Sequence, residues 1–306
     1  MTAAPSQRQL RARRVGKEGR RASTPWLFVA PAFVVYAAFM LYPLARAAQF
    51  SFFRWDTVSP SVFVWFDNYV AMFANEKLRN SFWHSGVLIV FYTVIPIVLG
   101  LVIAAILNRA QVRALGFFRS VIFLPQVIAM VVVAVAWRQL YSSSGSINGF
   151  LDLVGLGAWS RAWLGDYTFA LPAIGLIGTW IETGLVTVLL LAGMARVPRE
   201  LFEAARLDGA GPVAEFFAVT LPAVRGELVV AATLTTVAAL KNFDVVYMMT
   251  SGGPGDSTSV PSYQVYDQAF NQGQVGMATT IGVTLAVLIF VVNLVLNRAA
   301  DRAEAD

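Results

Sequence analysis

Apolar residues occur along the chain in runs long enough to cross a lipid bilayer. A membrane-spanning helix needs roughly 20 consecutive, mostly apolar residues, and six runs meet this requirement. They cover about 26–48, 84–107, 117–140, 170–193, 224–247 and 276–297. The pattern predicts an all-α integral membrane protein with six transmembrane helices.

Basic residues are distributed unevenly among the segments that separate these runs. If residues 1–25 lie in the cytoplasm, 16 of the 23 Lys and Arg residues fall on the cytoplasmic side. Because Lys and Arg resist translocation, this asymmetry predicts that both termini are cytoplasmic. Residues 1–25 are then a basic tail, residues 26–297 the six-span transmembrane domain, and residues 298–306 a second tail. The first run is longer than the apolar part of a secretion signal, so we expect it to be retained.

The composition supports a membrane protein and excludes several kinds of chemistry. Hydrophobic residues make up 57% of the 306 residues and charged residues 13%, whereas soluble domains contain about 25% charged residues. The chain has no cysteine and a single histidine, His84, which excludes thiolate sites and clusters of histidine ligands. It also has no GxxxxGK(S/T) phosphate loop. We therefore expect no enzyme activity, no metal and no cofactor, and we attribute the basic excess to membrane sidedness rather than to nucleic acid.

One connection, residues 194–223, is long and faces the cytoplasm in this topology. Pro198 suits the first position of a helix, and Gly209 suits the turn after its end. Together they predict a helix of about ten residues outside the bilayer. The residues that share one face of it are Leu201, Ala204, Ala205 and Asp208. Its small alanines suit insertion into a groove of a partner protein, but a helix resting on lipid headgroups has a similar pattern.

The same connection resembles a motif of a known family. Glu203-Ala204-Ala205, then Gly209, then Val219, Leu221 and Pro222 resemble the EAA-x3-G-x9-I-x-L-P loop of bacterial ABC-importer permeases, with valine in place of isoleucine. The segments FFRSVIFLP (117–125) and NFDVVYMMTSGGPGDST (242–258) are similar to the carbohydrate-uptake, maltose-type branch. Within that branch the chain resembles the first permease of a heterodimeric pair.

The resemblance implies an importer driven by ATP in the inner (cytoplasmic) membrane, carrying a sugar or sugar-like solute. Its implied partners are a second permease, two ATP-binding subunits and an extracytoplasmic solute-binding protein. The predicted helix becomes a coupling helix that binds the ATPase. Its implied coupling residues are Glu203, Ala204, Ala205, Asp208 and Gly209. Asp208 has two further interpretations, as a cap of the helix or as a partner of Arg206 or of a cation on another subunit.

Polar residues inside the runs are candidates for a solute pathway. Glu182 is predicted about a quarter of the way into the fourth run from its outer end. A carboxylate inside a span costs about 2.5–3.5 kcal/mol, so it faces a polar cavity, reaches water, or pairs with Lys241. The resemblance implies a sugar cavity, with Asn242 as a further candidate. The residues carried over to this cavity are Gln126, Met130, Glu182, Leu185, Ala238 and Ala239.

Two further features bear on the solute and on the path. Ala238 and Ala239 stand where maltose-type proteins carry an aromatic residue and an amide, which argues against maltose itself. Pro96, Pro125 and Pro172 interrupt the predicted spans. Since prolines can mark broken helices along a transport path, we interpret Pro125 in this way and the other two as packing residues.

An ion-coupled secondary carrier is the alternative function with the same topology. Glu182 and Asp244 would then bind protons or sodium ions. This alternative gives no reason for the Glu-Ala-Ala helix, so the permease of an ATP-driven importer is preferred.

Overall fold

The computed structural model describes residues 24–109 and 114–305 of the chain. Residues 1–23 of the predicted N-terminal tail lie outside the described residues, whereas residues 298–305 of the predicted C-terminal tail are the last part of a helix that covers Val275–Ala305. The chain divides into two compact units, residues 1–46 and 47–306. In the first unit the described residues are helical, and Phe28–Phe50, which continues into the second unit, has a mean hydropathy of 1.9.

Helices account for nearly all of the regular structure in the described residues. In chain order they are α1 (Thr24–Tyr36), α2 (Tyr42–Phe50), α3 (Asp67–Ala74), α4 (Glu76–Ile89), α5 (Ile95–Arg109), α6 (Leu115–Val127), α7 (Met130–Leu140), α8 (Ser146–Leu153), α9 (Ala170–Met194), α10 (Arg199–Leu207), α11 (Pro212–Glu215), α12 (Leu221–Ala223), α13 (Arg225–Leu240), α14 (Asp244–Met249), α15 (Pro261–Tyr266) and α16 (Val275–Ala305). π-Helical turns occupy Ala37–Leu41, Val90–Val94, Phe216–Thr220 and Asp267–Asn271, and a 3-10 turn occupies Gly157–Trp159.

A small departure from the all-α prediction lies in the polar segment after the first span. Strands β1 (Phe53–Arg54) and β2 (Val62–Phe63) form a two-stranded antiparallel pair in which Phe53 faces Phe63. Asn68 donates hydrogen bonds to the carbonyl oxygens of Ser51 and Phe53, at 2.9 Å each. The side chain thus ties α3 to the strand and satisfies backbone groups that a helix would satisfy internally.

Five helices in the described chain are long and apolar enough to cross a membrane, and the predicted third span is the exception. In place of one continuous helix over 117–140, α6 and α7 meet at an angle of 93°. Ile128 and Ala129 between them are extended, with ψ of 133° and 131°. Pro125 lies in the last turn of α6, where its missing N–H weakens the helix. The prediction of six spans therefore holds only if this bent pair counts as one.

The second span begins earlier than the hydrophobic pattern indicates. It extends over Glu76–Arg109, 34 residues, instead of 84–107. The Asn75 side chain accepts a hydrogen bond from the Leu78 N–H at 3.3 Å, which caps the start of α4. The first two turns of this helix are polar, so a search for apolar runs alone misses them.

Most prolines in the spans are accommodated without breaking a helix. Three of the four π turns described end two residues before a proline, at Pro43, Pro96 and Pro222. A proline ring clashes with the carbonyl four residues earlier, and a π turn is a common local adjustment of a helix. Pro172 lies in the first turn of α9, where no intrahelical hydrogen bond is lost. Neither Pro96 nor Pro172 therefore breaks a span, as expected of packing residues.

The core of the second unit is built around α9. Gly175 and Gly178 on this helix let the rings of Phe91 and Tyr92 approach so closely that an added Cβ would clash with them. Leu88, Ile177 and Ile181 are fully or almost fully buried around this contact. Small residues play the same role in many membrane helices, where packing replaces the hydrophobic effect between neighbours.

We expect Gly178→Ala to destabilise the protein in detergent, because the new methyl group would overlap the Tyr92 ring. Overpacking of this kind costs about 1–3 kcal/mol. The measurement is the fraction of protein that stays monodisperse after heating. Gly86→Ala is the matched control, since nothing lies within 4 Å of its added Cβ. Equal stability of the two variants would contradict the close packing of α9.

Candidate functional site

The predicted helix between the fourth and fifth spans is present as α10. It has nine residues, and Pro198 occupies the position just before its first turn instead of within it. The chain leaves the helix through Gly209, which has a φ of 82°. The Ala210 N–H donates to the Ala205 carbonyl at 2.9 Å, and the Gly209 N–H to Arg206 at 3.1 Å. This is a Schellman-type ending, which favours glycine because of its left-handed conformation.

An ion pair joins α10 to the short helix that follows it. Arg206 Nε donates to Glu215 Oε2 at 2.8 Å, and Arg206 Nη2 donates to Oε1 at 3.3 Å. Glu215 is buried, whereas Arg206 stays partly exposed. The hydrogen bonds from Arg206 lower the pKa of the Glu215 carboxyl, and Arg109 lowers it further. Glu215 is therefore ionised at neutral pH, and of the partners considered for Arg206, it is Glu215 and not Asp208 that binds it.

A cavity of about 470 Å³ lies beneath α10. It is bounded by the ends of α5 and α9, by α10 itself and by the turns that follow. The charged and polar residues that line it are Asn108, Arg109, Arg199, Glu203, Arg206, Glu215 and Thr220. The side of α10 that carries Phe202 and Arg206 faces this space.

Four of the five residues predicted to contact the ATPase are exposed in this chain. Glu203, Ala204, Asp208 and Gly209 are exposed, and Ala205 is half-buried. Asp208 occupies the C-cap position of α10, in agreement with one of its interpretations. Glu203 also borders the cavity.

Inside the membrane domain, a buried polar group links three of the spans. Asn242 Nδ2 donates to the Tyr92 hydroxyl oxygen at 2.9 Å, and the Ser262 hydroxyl donates to the Asn242 carbonyl at 2.7 Å. The Tyr92 ring packs against Gly178, which lies one helical turn before Glu182 on α9. Tyr92, Glu182 and Asn242 are all buried. Two of the pathway candidates, Glu182 and Asn242, thus lie near the same tyrosine.

Glu182 lies in the middle of α9 and not a quarter of the way along the span. The predicted bounds of this span, 170–193, agree with those of α9, so the error lay in the predicted depth of Glu182 and not in the ends of the helix. Its relative exposure is 4%, so it does not reach water at an interface. Lys241 is exposed, and the ion pairs found in the described part of the chain do not join it to Glu182. Of the three interpretations of Glu182, a position that faces a polar cavity remains, and it stays a prediction.

The other pathway candidates fall into two groups. Met130, Ala238 and Ala239 pack in the same apolar cluster as Tyr92 and Ile181. Gln126 and Leu185 lie outside that cluster. The two helices that carry them meet closely at Gly184 and the Ile122 carbonyl. The Gln126 Oε1 atom is buried without a hydrogen-bond partner in the described residues. A buried amide oxygen of this kind is available to a hydroxyl donor.

Sequence reasoning missed two residues that organise these sites, Tyr92 and Glu215. Tyr92 carries a hydroxyl in an apolar run, and a buried tyrosine usually finds a hydrogen-bond partner. Glu215 lies nine residues after Arg206, so no helical spacing connects the two. The first residue had a signal in the sequence, whereas the second depends on how the loop folds back.

These features define a class of protein: a multi-span membrane protein with a short helix exposed between two spans and buried polar residues among them. Residues 97–304 match the family of binding-protein-dependent transport system inner membrane components. The chain belongs to this family, and it is a permease component of an ABC importer in the inner membrane. Such a system also includes a solute-binding protein and an ATPase.

Curated relatives match the chain over most of its length. The probable ABC transporter permease protein YurN of Bacillus subtilis is 34% identical over 88% of this chain and 93% of its own length. NgcF of Streptomyces coelicolor, a diacetylchitobiose uptake permease, is 32% identical over 87% and 81%. MalF of Thermococcus litoralis, a trehalose/maltose transport permease, is 31% identical over 88% and 91%.

Solved structures have the same fold. A bacterial ABC transporter involved in import of the acidic polysaccharide alginate superimposes with a TM-score of 0.79, at 21% sequence identity. The match covers 92% of this chain and 96% of that chain. At this identity the likeness establishes the fold alone.

We expect Gly209→Ala to loosen the end of α10. Its φ of 82° is costly for a residue with a Cβ, by about 1–2 kcal/mol. Amide hydrogen exchange over residues 199–210 should accelerate by about tenfold. Gly211→Ala serves as the control, because Gly211 has a φ of −74° and open space around it. Unchanged exchange in Gly209→Ala would refute the role of the glycine turn.

Proposed function

We propose that this chain is the first permease subunit of a heterodimeric ABC importer for a sugar or sugar-like solute. Its loop 194–223 binds an ATPase subunit through α10. Two ATPases, a second permease and an extracytoplasmic solute-binding protein complete the assembly. The observation that carries this proposal is α10 itself, an exposed helix between two spans whose central residues are Glu203-Ala204-Ala205.

The shape of α10 supports binding in a groove of another protein. None of its residues is buried, and Ala204 and Ala205 keep its centre narrow. A narrow helix brings its backbone close to a partner, and the helix-in-groove mode is a common way for proteins to recognise a helix. In this assignment Glu203 forms a charge-assisted contact with the ATPase, and Gly209 allows the chain to turn back to the membrane.

The topology follows from the same assignment. If α10 lies in the cytoplasm, both termini are cytoplasmic as well, in agreement with the distribution of Lys and Arg. The Gly252-Gly253-Pro254-Gly255 loop then lies on the outer side, where a solute-binding protein docks.

The nature of the solute is supported by the relatives and by the buried polar groups. Relatives are described as permeases for diacetylchitobiose, trehalose/maltose and lactose. In this chain Glu182, Asn242 and Gln126 place carboxylate and amide groups within the spans, and such groups bind hydroxyls. Met130, Leu185, Ala238 and Ala239 complete the proposed pathway with apolar surface.

We expect Ala204→Trp to abolish solute uptake while the protein remains in the membrane and binds the other permease. The indole would widen the face of α10 that enters the ATPase groove. Uptake and ATP hydrolysis are measured in proteoliposomes that contain the complete importer. Val213→Trp is the control, because Val213 is exposed outside α10. Normal uptake in Ala204→Trp would refute coupling through α10, and uptake by the chain without any ATPase would favour the ion-coupled carrier.

We expect Glu182→Ala to weaken solute affinity by about tenfold, the loss typical of a hydrogen bond to a charged group. The measurement is the concentration dependence of uptake at saturating binding protein. Thr187→Ala is the control, because Thr187 is buried on the same helix but donates only to Thr183 of that helix. If Glu182→Ala instead prevented assembly of the complex, the carboxylate would be a structural residue.

A further inference from the structure

Little of the described protein packs against α10. None of its residues is buried, and the cavity of about 470 Å³ separates its inner side from the ends of α5 and α9. Its neighbours in the described chain are α11 and the π turn Phe216–Thr220. Packing alone therefore gives α10 weak support against an applied force.

The backbone between α10 and the fifth span is also deformable. It leaves α10 through residues 208–211, where Gly209 has a φ of 82° and both Gly209 and Gly211 are exposed. Glycines restrict the backbone least. A displacement of α10 would bend this turn before it moved the residues that follow.

The Arg206–Glu215 ion pair directly connects the two helices on either side of that turn. Its two hydrogen bonds, of 2.8 and 3.3 Å, join the last turn of α10 to the last residue of α11. Glu215 leads directly into the π turn Phe216–Thr220 and then into α12 and α13. The planar guanidinium binds both carboxylate oxygens, so the contact resists rotation as well as separation.

A basic residue at the end of a third helix, α5, also lies near Glu215. Arg109 at the end of α5 interacts with the Glu215 carboxylate electrostatically and lines the same cavity. Arg206 and Arg109, which belong to different helices, thus line the same cavity as the Glu215 carboxylate. Removal of Arg206 would leave that buried charge without its hydrogen bonds, which is costly.

We infer that the Arg206–Glu215 pair, which we call the brace, transmits the movement of α10 to the fifth span. Arg206 and Glu215 are positioning residues: they make the flexible loop move as one body and contact neither ATP nor solute. This inference rests on the proposed coupling role of α10 and extends it to residues outside the Glu-Ala-Ala motif.

The test compares Arg206→Gln, Glu215→Gln and the double variant in the complete importer, reconstituted with its ATPase and solute-binding protein. The readout is the number of solute molecules imported per ATP hydrolysed. We expect this ratio to fall by about tenfold in each single variant, with the complex still assembled and hydrolysing ATP. The double variant should lose no more than the worse single variant, because both changes remove one interaction.

Arg196→Ala is the matched control. Arg196 is an arginine of the same loop, but its contact with Glu227 is long, at 3.7 Å, and its side chain is largely exposed. Such pairs contribute little, so the transport ratio should stay at the wild-type value. Glu215→Gln preserves the shape of the side chain, and co-purification of the subunits verifies assembly.

A second measurement detects the brace independently of transport. Spin labels at residues 201 and 217, both exposed, report the distance between α10 and the π turn. We expect the distance distribution to broaden in Arg206→Gln and to stay narrow in Arg196→Ala. An unchanged distribution in Arg206→Gln would overturn the brace.

The remaining outcomes separate this inference from the proposed function. If Ala204→Trp uncouples the importer and the brace variants do not, only the inference fails. If neither Ala204→Trp nor the brace variants uncouple the importer, the coupling role of α10 is refuted as well. Additive losses in the double variant would show that Arg206 and Glu215 act separately, and would also overturn the brace.

Discussion

The bilayer imposes the constraint from which the rest of this structure follows: a backbone polar group in hydrocarbon must find its partner within the protein. The spans are therefore helices, and irregular backbone is confined to few places. Where prolines occur, π turns before Pro43, Pro96 and Pro222 let the helices continue. The bend between α6 and α7, at residues 128–129, is the larger exception, and it lies close to Gln126. Broken helices at membrane depth are tolerated where protein or a polar path surrounds them.

The same constraint separates two kinds of site. Within the spans, buried polar side chains lie close to one another: Asn242 donates to Tyr92, and the Tyr92 ring packs one helical turn from Glu182. Between the spans, α10 needs no such protection, and none of its residues is buried. In the proposed coupling, α10 receives force from an ATPase outside the bilayer. Contacts such as Arg206–Glu215 then carry that force to the spans.

The spans and α10 could be predicted from the sequence, because the hydropathy pattern within a single helix already indicates whether that helix lies in lipid or in water. Six apolar runs correspond to five continuous helices and one bent pair, and Gly209 and the Glu-Ala-Ala residues locate α10 to within a residue or two. The family could be identified from motif spacing alone. Span ends were less accurate where a helix begins with polar residues, because the first turns of α4 carry no apolar signal. The predicted depth of Glu182 was also wrong, although the predicted bounds of its span agree with those of α9. The orientation of the termini and the roles of the site residues stay predictions.

The amino-acid sequence by itself determined which segments enter the membrane, because hydropathy over about 20 residues sets the free energy of transfer into lipid. It also determined where α10 begins and ends, because proline and glycine act through their own backbone angles. Only the tertiary structure decided that Asn242 of one span donates to Tyr92 of another, and that Arg206 binds Glu215 across a turn. These contacts join residues on different elements, and their formation depends on the packing of whole helices, which local patterns do not encode.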